Sequence, residues 1–230
     1  MSSEPARILS KDGSVYVTDE FYNTLIAAIG AILSLVGIVL LLTSSLQNGK
    51  PRHIVAFLVY GATLLNLFVA SALHHGINGS KQTEHLLRQL DYYAIFFMIA
   101  GTFTPFCLIV LRNSLGYSVL GLVWLLAIVG VVLKAKFPGL PKWVLAIFYL
   151  GMGWLGLLVA WPIYQRIPHG VILLILGGLF FSIGAIIYYL ERPNPIPGRF
   201  GFHEIWHLFV LAGSGSHFAL MYFYILPLPS

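Results

Sequence analysis

The chain has 230 residues, of which 58% are hydrophobic and only 9% are charged. Soluble domains carry about 25% charged residues, so the composition excludes an ordinary soluble protein and indicates an integral membrane protein. The net charge of +5 comes from residues spread along the loops, a pattern typical of membrane topology signals rather than of a nucleic-acid partner.

Residues 1–20 are polar and lack the short apolar core and the cleavage site of a signal peptide, so we interpret them as a polar tail. Seven apolar stretches follow, each near the roughly 20 residues that cross a bilayer. They cover residues 21–46, 54–75, 91–111, 115–133, 143–161, 171–190 and 203–226. The connections are short and rich in turn residues, so we predict one domain over residues 21–226, an all-α bundle of seven transmembrane helices.

The Lys and Arg residues are divided unevenly between alternate loops. If the N-terminus is cytoplasmic, nine of them lie inside: Arg7, Lys11, Lys81, Arg88, Lys134, Lys136, Lys142, Arg192 and Arg199. Four lie outside: Lys50, Arg52, Arg112 and Arg166. The count predicts a multi-pass protein of the cell (plasma or inner) membrane, with its N-terminus in the cytoplasm and its C-terminus outside.

Three histidines and one aspartate stand at the ends of three apolar segments: His75, Asp91, His203 and His207. In the predicted topology the second segment ends in the cytoplasmic leaflet, where the third and seventh begin. Polar groups gathered from separate membrane helices are costly to keep, so they indicate a functional site. Imidazole and carboxylate ligands suggest zinc.

The spacing of these residues supports a catalytic metal site. His203 and His207 are four residues apart, so both rings project from one face of a helix. With His75 as a third ligand, one position of a tetrahedral zinc would stay open for water. Ser71 repeats the four-residue spacing before His75. Asp91 could bind the ion, hold its water, or accept the ring proton of a ligand histidine.

Other interpretations of the polar residues stay open. The histidines could be purely structural, and Asp91 in a first helical turn could be a partner of the helix dipole. Only one of the adjacent His74 and His75 can point inward. We prefer His75, partly on the family resemblance given below. We expect His217 to hydrogen-bond within the bundle. We interpret three further histidines as interfacial residues: His53, His85 and His169.

Residues 203–207 also match the HExxH signature of zinc proteases, in which the glutamate is a general base. An intramembrane metalloprotease is therefore an alternative function. Glu204 is rotated by about 100° from His203 on a helix, and it could instead face the head groups beside Arg199.

Three blocks of the sequence carry a family resemblance: SALHH at residues 71–75, LDY at 90–92 with IAGTFTPF at 99–106, and HEIWHLFVLAG at 203–213. They resemble the signature blocks of the bacterial hemolysin III proteins, which belong with the progestin and adipoQ receptors and, more distantly, the alkaline ceramidases. The resemblance covers nearly the whole chain from the first segment onward.

In the adiponectin receptors three histidines hold a zinc ion in the cytoplasmic leaflet. The resemblance implies that His75, His203 and His207 do so here. It also implies that Asp91 is linked to the ion through bound water and that Ser71 lies beside it.

The leading hypothesis is a zinc-dependent hydrolase that cleaves an amide or ester bond in a membrane lipid. Asp91 would take the proton of the zinc-bound water, and Ser71 would donate a hydrogen bond to the oxyanion. A membrane lipid is then the expected partner. Two other classes remain: a non-enzymatic protein of membrane fluidity or homeostasis with a structural zinc, and a pore-forming cytolysin.

Overall fold

The computed structural model of the chain describes residues 10–229. Within this range the α-helices are α1 Phe21–Gln47, α2 Pro51–Gly76, α3 Lys81–Pro105, α4 Ser114–Lys136, α5 Lys142–Trp154, α6 Leu157–Arg166, α7 Gly170–Leu190 and α8 Phe202–Leu220. Two π-helical runs continue α3 and α8, at Phe106–Leu111 and Met221–Ile225. Arg7 and Ser230, which entered the topology prediction, lie outside the described residues.

Among residues 10–229, seven helical spans are long and apolar enough to cross a membrane. The third runs over Lys81–Leu111, the fifth combines α5 and α6 over Lys142–Arg166, and the seventh runs over Phe202–Ile225. The prediction of an all-α bundle of seven transmembrane helices is confirmed, because every predicted apolar stretch corresponds to one of these spans.

The third span begins earlier than predicted. The hydroxyl of Ser80 accepts a hydrogen bond from the backbone N–H of Thr83 at 3.2 Å, which caps the start of α3 at Lys81. The ten polar and apolar residues that follow continue the helix, so Asp91 lies in its third turn. The interpretation of Asp91 as a first-turn partner of the helix dipole was therefore wrong, since hydropathy marks where a helix becomes apolar and not where it begins.

Proline and glycine interrupt two of the spans. Pro105 ends the α-helical part of the third span, and the chain continues as a π-helix whose residues are mostly buried. The fifth span breaks at Leu155 and Gly156, between α5 and α6. Such irregular backbone is tolerated inside a membrane where it faces protein or a cavity.

The bundle has two distinct ends. At the end that we call the tail end, residues 10–20 contact the last turn of α2, and Lys142 pairs with Glu191 at 2.6 Å. At the opposite end, Lys50 donates hydrogen bonds to the carbonyls of Leu226 and Leu228, and Arg112 donates to the carbonyl of Pro229. The candidate site lies at the tail end.

The core is centred on α2, α3 and the π-helical run after α3. Its most deeply buried aromatic residues are Phe57, Tyr60 and Phe96. Gly30 of α1 lets the ring of Phe68 approach the helix backbone, where a β-carbon would collide with it. Cys107 is fully buried in this core, as expected for a small structural residue.

Candidate metal centre

Three buried histidines meet at the tail end of the bundle. His75 lies in the last turn of α2, and His203 and His207 lie in the first two turns of α8. One ligand atom from each falls within 4.8 Å of the others. The Nε2 atoms of His75 and His207 are 3.2 Å apart. The fold therefore brings together the three histidines that the sequence analysis selected.

The donor set fits a zinc ion. Four nitrogen ligands at about 2.0–2.1 Å in a tetrahedron would lie roughly 3.3 Å from one another, close to the separation between His75 and His207. Nε2 of His203 is buried and has no hydrogen-bond partner among the described residues. A buried ring nitrogen without a partner is costly, and a metal ion would satisfy it.

Two carboxylates of the tail contact the Nδ1 atoms of His75 and His203. Nδ1 of His75 lies 2.8 Å from Oε2 of Glu20, and Nδ1 of His203 lies 3.3 Å from Oδ2 of Asp12. A ring that donates its Nδ1–H to a carboxylate presents Nε2 as a free ligand. The sequence analysis missed both residues, since no pattern in the sequence distinguishes them from the neighbouring Asp19.

The electrostatics of the tail agree with these contacts. Burial by itself would raise the pKa of Asp12, but the imidazoles of His203, His74 and His75 outweigh it and lower that pKa. Burial also opposes ionisation of Glu20, yet the hydrogen bond with His75, assisted by Asn23, lowers the pKa of its carboxyl. Both groups are therefore carboxylates, which is the form that accepts a ring proton.

His74 contacts the tail instead of the three-histidine group. Both His74 and His75 are buried, each with 2% of its surface exposed. Nε2 of His74 lies 3.4 Å from Oδ1 of Asp12, and Asp12, His74 and His75 form a second group of close ligand atoms. His74 is buried because the tail covers it, and His75 is the one of the two that belongs to the group with His203 and His207.

Asp91 and Ser71 line a cavity that adjoins the histidine cluster. Both are buried, with 6% and 4% of their surface exposed. Ser71 Oγ has no hydrogen-bond partner among residues 10–229. Asp91 does not belong to the group of ligand atoms that His75, His203 and His207 form. It lines the same cavity as Ser71 and His207.

This cavity has a volume of about 230 Å³ and is lined by residues of α2, α3, α5, α6, α7 and α8. Its walls are largely aliphatic and aromatic, and Gly153, Trp154 and Gly156 of the broken fifth span contribute to them. The polar groups of Ser71, Asp91 and His207 stand at one part of this lining, and His217 stands at another. The arrangement can place a hydrocarbon chain beside a cluster of ligands and proton acceptors.

Glu204 has a structural role that the sequence analysis did not foresee. It is fully buried, its Oε2 accepts from the backbone N–H of Gly201 at 2.8 Å, and its Oε1 accepts from Thr18 at 2.7 Å. The expected contact with head groups was wrong, because the third position of a helix directs a glutamate back to the free N–H of its cap. With both oxygens occupied, Glu204 is poorly placed as the general base of a protease.

The remaining histidines divide into two sets. His85 and His169 are exposed, in line with an interfacial interpretation. His217 contacts the carbonyl of Leu174 at 3.3 Å, as predicted for a bond within the bundle. His53 was wrongly interpreted as interfacial: it is fully buried, 3.3 Å from the carbonyl of Ile225, because the end of the seventh span packs over it.

Comparison with known proteins bears on this arrangement. The family model described as "Haemolysin-III related" matches residues 15–218. The chain belongs to the haemolysin III family. Hemolysin-3 of Bacillus cereus is 39% identical over 216 residues, covering 94% of this chain and 95% of that protein. The Hemolysin-3 homolog of Bacillus subtilis is 37% identical over 214 residues, covering 93% and 97%.

A more distant relative of this haemolysin III protein is the human monocyte to macrophage differentiation factor. It is 27% identical over 176 residues, covering 75% of this chain and 71% of that protein. The family assignment made from the sequence blocks is therefore confirmed, together with its placement in the wider receptor superfamily. The matched region contains the histidine cluster, Asp91 and Glu20, but begins after Asp12.

Proposed function

We propose that this haemolysin III protein is a zinc-dependent hydrolase that cleaves an amide or ester bond in a membrane lipid, as a ceramidase does. The observation that carries the proposal is the contact between the histidine cluster and the apolar cavity, which share His207, with Asp91 and Ser71 in the same wall. Ligands, a proton acceptor, a hydrogen-bond donor and a hydrocarbon site thus adjoin one another.

In this proposal His75, His203 and His207 hold the ion through their Nε2 atoms. A zinc ion bound by three histidines supplies acidified water and polarises a carbonyl group. The carboxylate of Asp91 accepts a proton from the attacking water and later delivers it to the leaving amine or alcohol. The hydroxyl of Ser71 has no competing partner among the described residues, so it is free to donate a hydrogen bond to a substrate oxygen.

The cavity supports a lipid as the substrate. Its apolar walls suit a fatty acyl or sphingoid chain, and the polar groups in the same lining suit an amide or ester linkage. The uneven distribution of Lys and Arg supports a position of the site in the cytoplasmic leaflet of the cell membrane. A substrate could then enter from the bilayer with its head group near the inner surface.

The second candidate is a non-enzymatic membrane protein with a structural zinc. The favouring observation is that the cluster joins α2 to α8 and also contacts the tail through Asp12 and Glu20. An ion there would fasten three separate parts of the chain, which is a sufficient reason for a metal without turnover.

Mass spectrometry of lipids separates the two candidates. Membranes containing ceramides and acylated lipids are incubated with wild-type protein, with zinc-stripped protein and with Asp91→Asn. Hydrolysis predicts a fatty acid and an amine or alcohol product with the wild type only. If none of the three yields a product and zinc removal only lowers the melting temperature, the structural role is the better account and the hydrolase proposal is rejected.

A further inference from the structure

Residues 10–20 are bound to the bundle by contacts that do not involve the histidine rings. Ser14 donates to Glu191 at 2.8 Å, and Thr18 donates to Glu204 at 2.7 Å. Arg88 of α3 donates to the backbone carbonyl of Lys11 at 3.1 Å. These contacts alone position the tail segment against α3, α8 and the end of α7, without the bonds to the histidines.

Lys11 fixes the segment to the end of α2. Its Nζ donates to the carbonyls of His74, His75 and Ile77 at 3.0, 2.9 and 2.8 Å. The last carbonyls of a helix lack partners within the helix, so a lysine is a favourable cap there. One residue further on, the Asp12 carboxylate reaches rings on both α2 and α8.

Glu20 is fixed by two hydrogen bonds and by its backbone conformation. Its Oε2 accepts from Nδ2 of Asn23 at 2.8 Å as well as from His75. Its backbone has a φ of 61°, in the left-handed region that side chains other than glycine seldom adopt. The chain thus turns sharply at Glu20 and presents its carboxylate to the ring.

We propose that Asp12 and Glu20 are positioning residues of the metal centre, and that docking of the tail and binding of the metal strengthen each other. The proposal rests on the metal-binding part of the proposed function and not on hydrolysis. Glu20 fixes the Nδ1–H tautomer of His75 by a hydrogen bond, and the charge of Asp12 favours a proton on Nδ1 of His203, so that both Nε2 atoms are ready as ligands. The metal, by fixing the rings, in turn fixes the carboxylates of the tail.

The cavity and the tail contact different histidines of the cluster. Ser71, Asp91 and His207 belong to the cavity, whereas Asp12 and Glu20 contact His203 and His75 from the tail. His75 and His203 have only 2% and 8% of their surface exposed. The tail therefore contacts the two rings of the cluster that do not line the cavity.

Zinc affinity tests the positioning role. The dissociation constant is measured by competition with a chelator for wild type, Asp12→Asn, Glu20→Ala, Glu20→Gln and Asp19→Asn. Loss of a carboxylate behind a ligand histidine weakens metal binding about 10–100-fold, and we expect this for Glu20→Ala. Asp12→Asn and Glu20→Gln keep an acceptor and should fall between Glu20→Ala and wild type.

Asp19→Asn is the matched control. Asp19 is an exposed carboxylate of the same segment, and its contact is with the backbone N–H of Phe21 at 3.1 Å, which asparagine can retain. It should bind zinc as the wild type does. With cobalt in place of zinc, the visible absorption bands of the Asp12 and Glu20 variants should shift, which a mere loss of tail packing would not cause.

Hydrogen exchange on wild-type protein tests the coupling without any substitution. Zinc should slow amide exchange in residues 10–20, because reciprocity requires the metal to favour the docked tail as much as the docked tail favours the metal. Unchanged exchange overturns the coupling. Equal zinc affinity in Asp12→Asn, Glu20→Ala and Asp19→Asn overturns the positioning role while the metal centre stands. A wild type that binds no zinc removes the metal centre and this proposal together.

Discussion

His75 and His207, which are 132 residues apart in the sequence, face each other through Nε2 atoms separated by 3.2 Å. One lies at the end of the second span and the other near the start of the seventh, so the two spans run in opposite directions and bring these two side chains together at the tail end. The short separation of two ring nitrogens in a buried place is the strongest structural argument for a metal at this point.

Metal content is the first prediction. We expect purified wild-type protein to carry one zinc ion per chain, because three imidazoles favour zinc over magnesium or calcium. His203→Ala and His207→Ala should each lose most of it, as measured by elemental analysis. His74→Ala should keep the metal, as should His85→Ala, which alters an exposed histidine. Full zinc retention in both α8 variants would disprove the site.

Turnover should depend on Asp91 and Ser71 to different degrees. Asp91→Asn should keep the fold and most of the zinc while lowering the rate of lipid cleavage about 100-fold or more, the scale of a general base. Ser71→Ala should lower it by roughly 10 to 1,000-fold, the range for one oxyanion donor. Rates and zinc content are measured on the same preparations. Wild-type rates in Asp91→Asn would exclude the proton-transfer role.

The cavity can be narrowed without disturbing the packing. Gly178 of α7 lines the cavity, and a β-carbon added there would meet open space. Gly178→Leu should therefore leave the melting temperature and zinc content unchanged but lower cleavage of long-chain lipids. Gly121→Leu is the control, because Gly121 also faces open space but lies on α4 outside the cavity lining. Equal loss in both variants would argue against the cavity as the lipid site.

Membrane orientation can be tested with two histidine positions at opposite ends. His85, near the start of α3, and His169, just before α7, are both exposed. Cysteine placed at position 169 should react with a membrane-impermeant maleimide on intact cells, whereas cysteine at position 85 should react only after lysis. The native Cys107 is fully buried and gives little background. The reverse pattern would place the histidine cluster at the outer surface.

Much of the fold follows from the sequence because the bilayer imposes a length on each apolar stretch. All seven spans were located in this way, and errors are confined to their ends and interruptions. The start of α3 at Lys81 depends on a cap at Ser80 and on polar helical residues that no hydropathy window detects. The break at Leu155 and Gly156 is equally invisible to such a window.

The candidate site was only half accessible to sequence reasoning. His203 and His207 are connected by helical spacing, and His75 joins them through the alternation of the spans. Asp12 and Glu20 belong to an irregular tail, whose path is set by scattered contacts such as those of Lys11 and Ser14. An irregular segment has no repeating side-chain direction as a helix does. The sequence therefore cannot predict which histidine ring a carboxylate of the tail contacts.

The division of the ligands between α2 and α8 has a consequence for biosynthesis. While the chain is being made, His75 enters the membrane early, but its partners lie on the last of the seven spans. No three-histidine site can exist until that span has been inserted and its start has come near the end of α2. The metal can therefore bind at this site only after the last span has been synthesised and inserted. Metal binding thus distinguishes complete chains from those whose synthesis or insertion stopped earlier.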